Sequence, residues 1–258
     1  SLSYMFENCT NLEKLNLSNF DTSQVTSMIS MFRGCGNLTE LDVSKWNTAK
    51  VVRMAGLFDN CKKLTTLNVS NFDTSNVTNM LGMFFGTGYT AMTSLDLGDK
   101  FDTSKVTNMS GMFMNFGTTA ITGLSLGNKF YTSKVTNMTN MFTGCGKTAM
   151  ISLDLGPAFT KIATTNTDFI TNCGKSGAII YAPEAIFQDK NNFKLNTDAT
   201  TSAISYTRGT INPKYRTEWI KEGTIKQDGS DLENIPFKET NLYVRKVLNV
   251  YEKYKNLY

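Results

Sequence analysis

Nucleophilic or metal chemistry in this chain falls to five cysteines, because its 258 residues include no histidine. Without imidazole there is no Ser-His-Asp triad, no Cys-His pair and no histidine-held metal. Catalysis by paired carboxylates or lysine survives that exclusion. Cys9, Cys35, Cys61 and Cys145 each stand three residues after a phenylalanine, and Cys173 stands four after Phe169. Thr87 and Asn115 or Phe116 fill the same slot in other copies. A cysteine that exchanges with threonine or asparagine at a fixed place reads as a small buried residue in a turn. A disulfide framework asks for an even set and a zinc site for close Cys-x-x-Cys spacing, and the sequence has neither.

The most regularly spaced polar groups are Asn16, Asp42, Asn68, Asp96, Ser125 and Asp154, with Lys14, Glu40, Thr66, Ser94, Gly123 and Ser152 two residues earlier. Lying between apolar columns, they read as outward positions on short strands. The first set is the candidate ligand-binding face, a rigid, short-chained, slightly acidic ladder without aromatic rings. Sugar platforms and protein hot spots favour rings or arginine. A solvated ladder that only keeps the protein soluble therefore competes with a ligand groove. Stacked Asp42, Asp96 and Asp154 alternate with neutral residues and lack a glycine-rich calcium repeat. No catalytic residue, metal site or cofactor is assigned. Asn-x-Ser/Thr triplets at Asn8, Asn16, Asn37, Asn68, Asn76, Asn108 and Asn137 ride the repeat and read as its consensus rather than as glycan acceptors.

The repeat that places these groups is plainest in 67–84, LNVSNFDTSNVTNMLGMF. Aligned on the Phe of the Met-Phe pair, copies fall at Phe6, Phe32, Phe58, Phe84, Phe113, Phe142 and Phe169, in steps of 26, 26, 26, 29, 29 and 27 residues. Further columns keep the beat: Leu15 to Leu153, Leu17 to Leu155, Phe20 to Phe159, Val25 to Val135 and Met28 to Met138. A fixed period in the twenties implies stacked coils that bury their apolar side only against each other. Within one unit, Leu67 and Val69 mark a strand, and Ser70 and Asn71 turn the chain. Phe72 points inward, and Asp73, Thr74 and Ser75 supply caps. Val77, Met80, Met83 and Phe84 fit a short helical or 3₁₀ return, and Gly86, Gly34 and Gly144 close it. A continuous parallel sheet is expected, with the extra residues near Thr87–Met92, Gly117–Ile121 and Lys147–Met150 bulging before the strand.

Composition agrees with one elongated array. The chain is 40% hydrophobic with a formal charge of +4 and no basic run, so charge points to neither nucleic acid nor an anionic membrane. No apolar stretch approaches the roughly 20 residues that cross a bilayer. Ser1–Phe6 already falls inside a repeat, so any export signal is expected upstream.

The segments MFRGCGNLTELDVSKWNTAKVVRM and MFTGCGKTAMISLDLGPAF, with their seven registered copies over residues 1 to about 173, resemble the BspA-type leucine-rich repeat of bacterial surface proteins and mycoplasma lipoproteins. The resemblance implies an extracellular protein on a bacterial surface, an adhesin whose work is non-catalytic binding. Its implied partner is a host or cell-surface protein, with a glycan also considered, and without nucleic acid or direct membrane insertion. No single residue is carried over as a ligand contact.

The expected fold class is an α/β solenoid, a leucine-rich-repeat-like right-handed array with a parallel sheet, a C-terminal cap and a small helical tail. The solenoid is assigned to 1–178, the cap to 179–200 and a non-repeat extension to 201–258. In the cap, Ala178–Tyr181 is a last strand, Pro183 suits a first helical turn, and Ile186, Phe187 and Phe193 cover the open end. In the extension, Tyr206, Tyr215 and Trp219 beside Arg208, Lys214 and Arg216 read as a small packed core with a snorkelling rim. Tyr243, Val247, Val250, Tyr254 and Leu257 form one helical stripe after an N-cap at Thr240. Besides adhesion, the sequence admits a stiff spacer that holds another domain away from the envelope.

Overall fold

Alternating exposed and buried residues, as in Thr66, Leu67 and Asn68, make each unit's leucine the anchor of a very short strand. Among the described residues seven short strands follow in order: β1 (Lys14–Leu15), β2 (Glu40–Leu41), β3 (Thr66–Asn68), β4 (Ser94–Asp96), β5 (Gly123–Ser125), β6 (Ser152–Asp154) and β7 (Ile179–Tyr181). They belong to a computed structural model that describes residues 1–175, 178–183 and 186. All pairings are parallel and in the expected register, with Leu15 opposite Leu41, Leu67 opposite Leu95, and Leu124 opposite Leu153, which faces Ile180. The fold is a repeat solenoid of regularly spaced short parallel strands over stacked buried aromatics.

The sheet is not continuous, contrary to expectation. It divides into β1-β2, β3-β4 and β5-β6-β7. Val69 N–H reaches Asp96 O at 2.9 Å and Leu126 N–H reaches Asp154 O at 2.9 Å, whereas among the described residues no such bond joins Val43 to Asn68 or Leu97 to Ser125. Strands of two or three residues offer few ladder bonds, so a local offset is enough to end the pairing.

The return segment is neither α-helical nor 3₁₀. Alternate amides leave the coil: Met28, Ser30, Phe32 and Gly34 donate to the carbonyls of Arg53, Ala55, Leu57 and Asp59 in the next coil, at 2.7–3.0 Å. The amides between them close tight turns within the coil, as Met31 does on Met28 and Cys35 on Phe32. This alternation requires left-handed backbone two residues before and two after the Phe, and Ser30, Gly34, Gly56, Asn60, Gly82 and Gly86 have φ of 49, 74, 63, 58, 57 and 59°. Helical spacing of the apolar residues arose because turns of this size also return side chains to one side. Parallel bridges run along the return without a break: Ser27, Arg53, Asn79, Asn108, Asn137, Thr165.

One column obeys a steric rule. The position two after the Phe alternates Asn8, Gly34, Asn60, Gly86, Asn115, Gly144. A Cβ at Gly86 would lie 2.8 Å from Asn60 Oδ1, and the Asn8 and Asn115 side chains occupy the corresponding space over Gly34 and Gly144. Each asparagine thus excludes a side chain from the coil above it. Both residue types tolerate positive φ.

The same markers correct the last register. Left-handed residues flank Ile170, at Asp168 and Asn172, rather than Phe169. Phe142 N–H bonds Phe169 O, whereas one coil earlier Phe113 N–H bonds Met141 O. Phe169 therefore takes the methionine place and Ile170 the phenylalanine place, so the final step is one residue longer than the spacing to Phe169. Cys173 then lies three residues after its anchor like the other cysteines, and Phe169 meets Phe142 edge-on at 86°.

Two aromatic columns fill the core. Phe6, Phe32, Phe58, Phe84, Phe113 and Phe142 stack successively with centroids 5.3–5.9 Å apart. Trp46 stacks on Phe72, and Phe101, Phe130 and Phe159 continue the second column at 6.2–6.3 Å. Beside them runs a buried threonine column, Thr22, Thr48, Thr74, Thr103 and Thr132. Thr48 Oγ1 donates to Asp73 O, Thr74 Oγ1 to Asp102 O and Thr103 Oγ1 to Tyr131 O, at 2.7–3.0 Å. The inserted residues bulge before the strand as expected, with Met92, Ile121 and Met150 folded back onto Gly88, Gly117 and Gly146 and buried. At the end, β7 supplies the anticipated strand and Ile186 is buried. Phe187, Phe193, the aromatic and basic group at 206–219 and the terminal helical stripe lie outside the described residues.

Candidate functional site

The six sequence-selected positions occupy one face, since register puts Asn68 opposite Asp96 and Ser125 opposite Asp154. Asn16, Asp42, Asn68, Asp96 and Ser125 are exposed, and Asp154 is half-buried. Five of the six also have a local duty. Asn16, Asp42, Asn68, Asp96 and Asp154 each accept, through Oδ1, the amide two residues on, from Ser18, Ser44, Ser70, Gly98 and Gly156, at 2.9–3.0 Å. These Asx turns end the strand and start the bend. Ser125 Oγ lies 3.3 Å from Asp154 Oδ2. The face therefore presents the outer side of side chains that the backbone holds in place.

Asx turns also account for four of the seven Asn-x-Ser/Thr triplets. Asn16 and Asn68 cap strand ends, while Asn108 and Asn137 cap the amides of Ser110 and Thr139 on the return. Asn37 and Asn76 instead donate Nδ2 to Thr10 O and Ala49 O of the preceding coil. The asparagines recur for these bonds, while the strand-end turn asks only for a backbone amide two residues on, which Gly98 and Gly156 also supply.

At the first two coils the face sinks into an open depression of about 450 Å³ lined by Lys14, Asn16, Ser18, Glu40 and Asp42. Lys14 Nζ and Glu40 Oε2 lie 3.5 Å apart across the β1–β2 step, both well exposed. Such a pair contributes little to stability. The Ser44 hydroxyl and amide, with Lys45 beside them, hold the Asp42 carboxyl below its ordinary value. Asp42 thus presents a negative charge throughout the neutral range.

The thiols are structural where the coils stack. Cys35 Sγ and Cys61 Sγ reach the carbonyls of Phe6 and Phe32 at 3.1 and 3.2 Å, and Thr87 Oγ1 makes the same contact with Phe58 O at 2.7 Å. This shared bond explains why Cys and Thr exchange. All five cysteines are free, with only Cys9 exposed. Burial pushes the Cys35 thiol up to about 11, and Cys61 and Cys173 rise well above the ordinary thiol range for the same reason. Buried neutral thiols of this kind are poor nucleophiles. Among the described residues no group of three or more His, Cys, Asp or Glu could hold a metal ion. No helix among them is long and apolar enough to cross a membrane.

Parallel strands at a fixed beat, stacked aromatics and polar corners define a repeat solenoid that displays regular side-chain ladders. Its family is equally definite: the model described as "Mycoplasma protein of unknown function, DUF285" matches residues 1–118 and 88–161, and the chain belongs to that family. No curated protein and no solved structure matches the chain.

Proposed function

We propose that this chain is a non-catalytic binding module on a bacterial cell surface, an adhesin that meets host or neighbouring-cell macromolecules through its repeat array. The observation that carries the reading is the exposed strand face, where Asn16, Asp42, Asn68, Asp96 and Ser125 are repeated coil after coil, the first four fixed by their own backbone. A preorganised polar array loses little conformational entropy on binding, which favours recognition of an extended partner. Resemblance to BspA-type leucine-rich repeats supports surface placement. The proposed partner is a cell-surface protein or glycan, bound without cofactor or metal.

The test is binding of the full chain to a panel of immobilised matrix proteins and host cells, repeated with Asp42→Lys and Asp96→Lys. Capture that both substitutions abolish, with the folded far-UV circular dichroism spectrum retained despite the loss of the two Asx turns, is the expected result. Capture indifferent to both removes the strand face from the proposal. A spacer is the second reading, favoured by the unbroken bridge ladder from Ser27 to Thr165, which suits a stiff rod. A spacer binds nothing on the panel.

A further inference from the structure

The sequence contains no basic run, yet stacking assembles one. Lys100 and Lys129 occupy one column at the bend after the strand, next to Phe101 and Phe130, whose rings stack at 6.3 Å. Lys105 and Lys134 occupy the column on the other side of the same bend, each followed by a buried valine. Between them lies a column that begins Asp21, Asn47, Asp73, Asp102 and changes character at the next coil, where Tyr131 stands. Its successor is Lys161, whose amide bonds Thr132 Oγ1 at 2.9 Å just as the Asn47 amide bonds Thr22 Oγ1 at 2.8 Å. Asp102 still stands between Lys100 and Lys105, and the acidic residues leave this column from the next coil on, at Tyr131 and Lys161.

All five lysines are exposed, and Tyr131 is 39% exposed among them. The described ion pairs all lie elsewhere, at Lys14 and Arg33. Lys105 Nζ lies along the stack on Asn76 Oδ1 at 2.7 Å, so its charge stays in the column instead of pairing with an acid. The field is felt by a neighbour. The Asp73 carboxyl is held below its ordinary value, first by the Ser75 hydroxyl and also by Lys100 and Lys129.

The geometry points to this corner, Lys100, Lys105, Lys129, Lys134 and Lys161 around Tyr131, as a docking surface for a sulfated polysaccharide. Cations repeated at the coil spacing of about 4.8 Å match a chain whose anions also repeat along its length. A lone ring suits packing against one sugar. Single-stranded nucleic acid wants successive stacking rings, and insertion into a membrane wants several apolar residues, whereas the corner offers the one ring of Tyr131. This surface is distinct from the strand face and stands whether or not that face binds.

The test measures heparin binding by the full chain at moderate salt. Wild type is compared with Lys129→Glu/Lys134→Glu and with Lys62→Glu/Lys63→Glu, which makes the same net charge change at two exposed lysines outside the corner. The corner variant is expected to weaken binding about ten-fold or more and the control less than about two-fold, with equal melting temperatures. Equal losses in both variants, or no heparin binding by wild type, overturn the proposal. Duplex DNA and phosphatidylserine vesicles serve as alternative probes. Binding of either that equals heparin's and falls with the same substitutions overturns the assignment to a polysaccharide.

Discussion

On the strand side the parallel ladder stops after β2 and again after β4, whereas on the return side bridges run unbroken from Ser27 to Thr165. The regular strands are thus the less continuous half of the coil. The turns, built on left-handed Asn, Ser and Gly, carry coil-to-coil hydrogen bonding past both breaks, as Gly56 on Leu81 and Gly111 on Thr139 show. The comparison also separates two tasks. Return-side groups are spent on holding coils together, while strand-side and corner groups remain outward. Cohesion and display are divided between faces, so display can vary without loosening the stack.

The largest contrast comes from core truncation. Phe84→Ala removes a fully buried ring stacked between Phe58 and Phe113, and a loss of about 3–5 kcal/mol is expected in denaturant melts. Leu95→Ala in β4, at a half-buried position, costs nearer 2 kcal/mol on the same scale. Equal losses break the comparison. Next, Gly86→Ala meets both left-handed backbone, about 1–2 kcal/mol, and the Asn60 side chain. In an Asn60→Gly background the second penalty disappears, and a double-mutant cycle reads it as a coupling of about 0.5 kcal/mol or more. Additive losses refute the steric alternation.

Thr74→Val keeps shape but removes the hydroxyl that the buried Thr74 donates to the Asp102 carbonyl, so about 1–2 kcal/mol is expected to be lost. The smallest effect is on pH dependence. Asp73 has a folded value below its unfolded value of about 3.9, so its ionised form stabilises the fold above that pH, and the contribution is lost as pH falls through the folded value. Asp73→Asn is expected to flatten stability against pH below about 4, with the variant lower than wild type by a small constant amount near neutrality and converging on it at the acid end. An acid limb identical to wild type assigns the loss to other carboxylates.

Apolar columns were legible because a buried stripe must repeat at the coil period. They located the strands, the paired leucines, the aromatic stacks and the last strand at Ile179–Tyr181. Turn chemistry was harder to see. Val77, Met80 and Met83 recur at intervals that both a helix and a chain of tight turns satisfy, so spacing alone favoured the helix. The discriminating signal was the Asn and Gly alternation two residues past each Phe, visible at Asn60 and Gly86. The same signal places Asn172 two past Ile170 and marks Ile170, not Phe169, as the last anchor. On the candidate face, alternation placed Asn68 and Asp96 outward, but the Asx bonds they make are local geometry that hydropathy does not encode. The basic corner was invisible for another reason: Lys105 and Lys134 are far apart in sequence and adjacent only after stacking.

Amide hydrogen exchange on the full chain tests the division of labour most directly. The return amides of Gly56, Phe58, Gly82, Phe84, Gly111 and Phe113, each bonded to the next coil, should form one slowly exchanging block, with faster exchange at Val43 and Leu97 on the strand side. Rapid exchange along the return with protection continuous through Val43 and Leu97 contradicts the account.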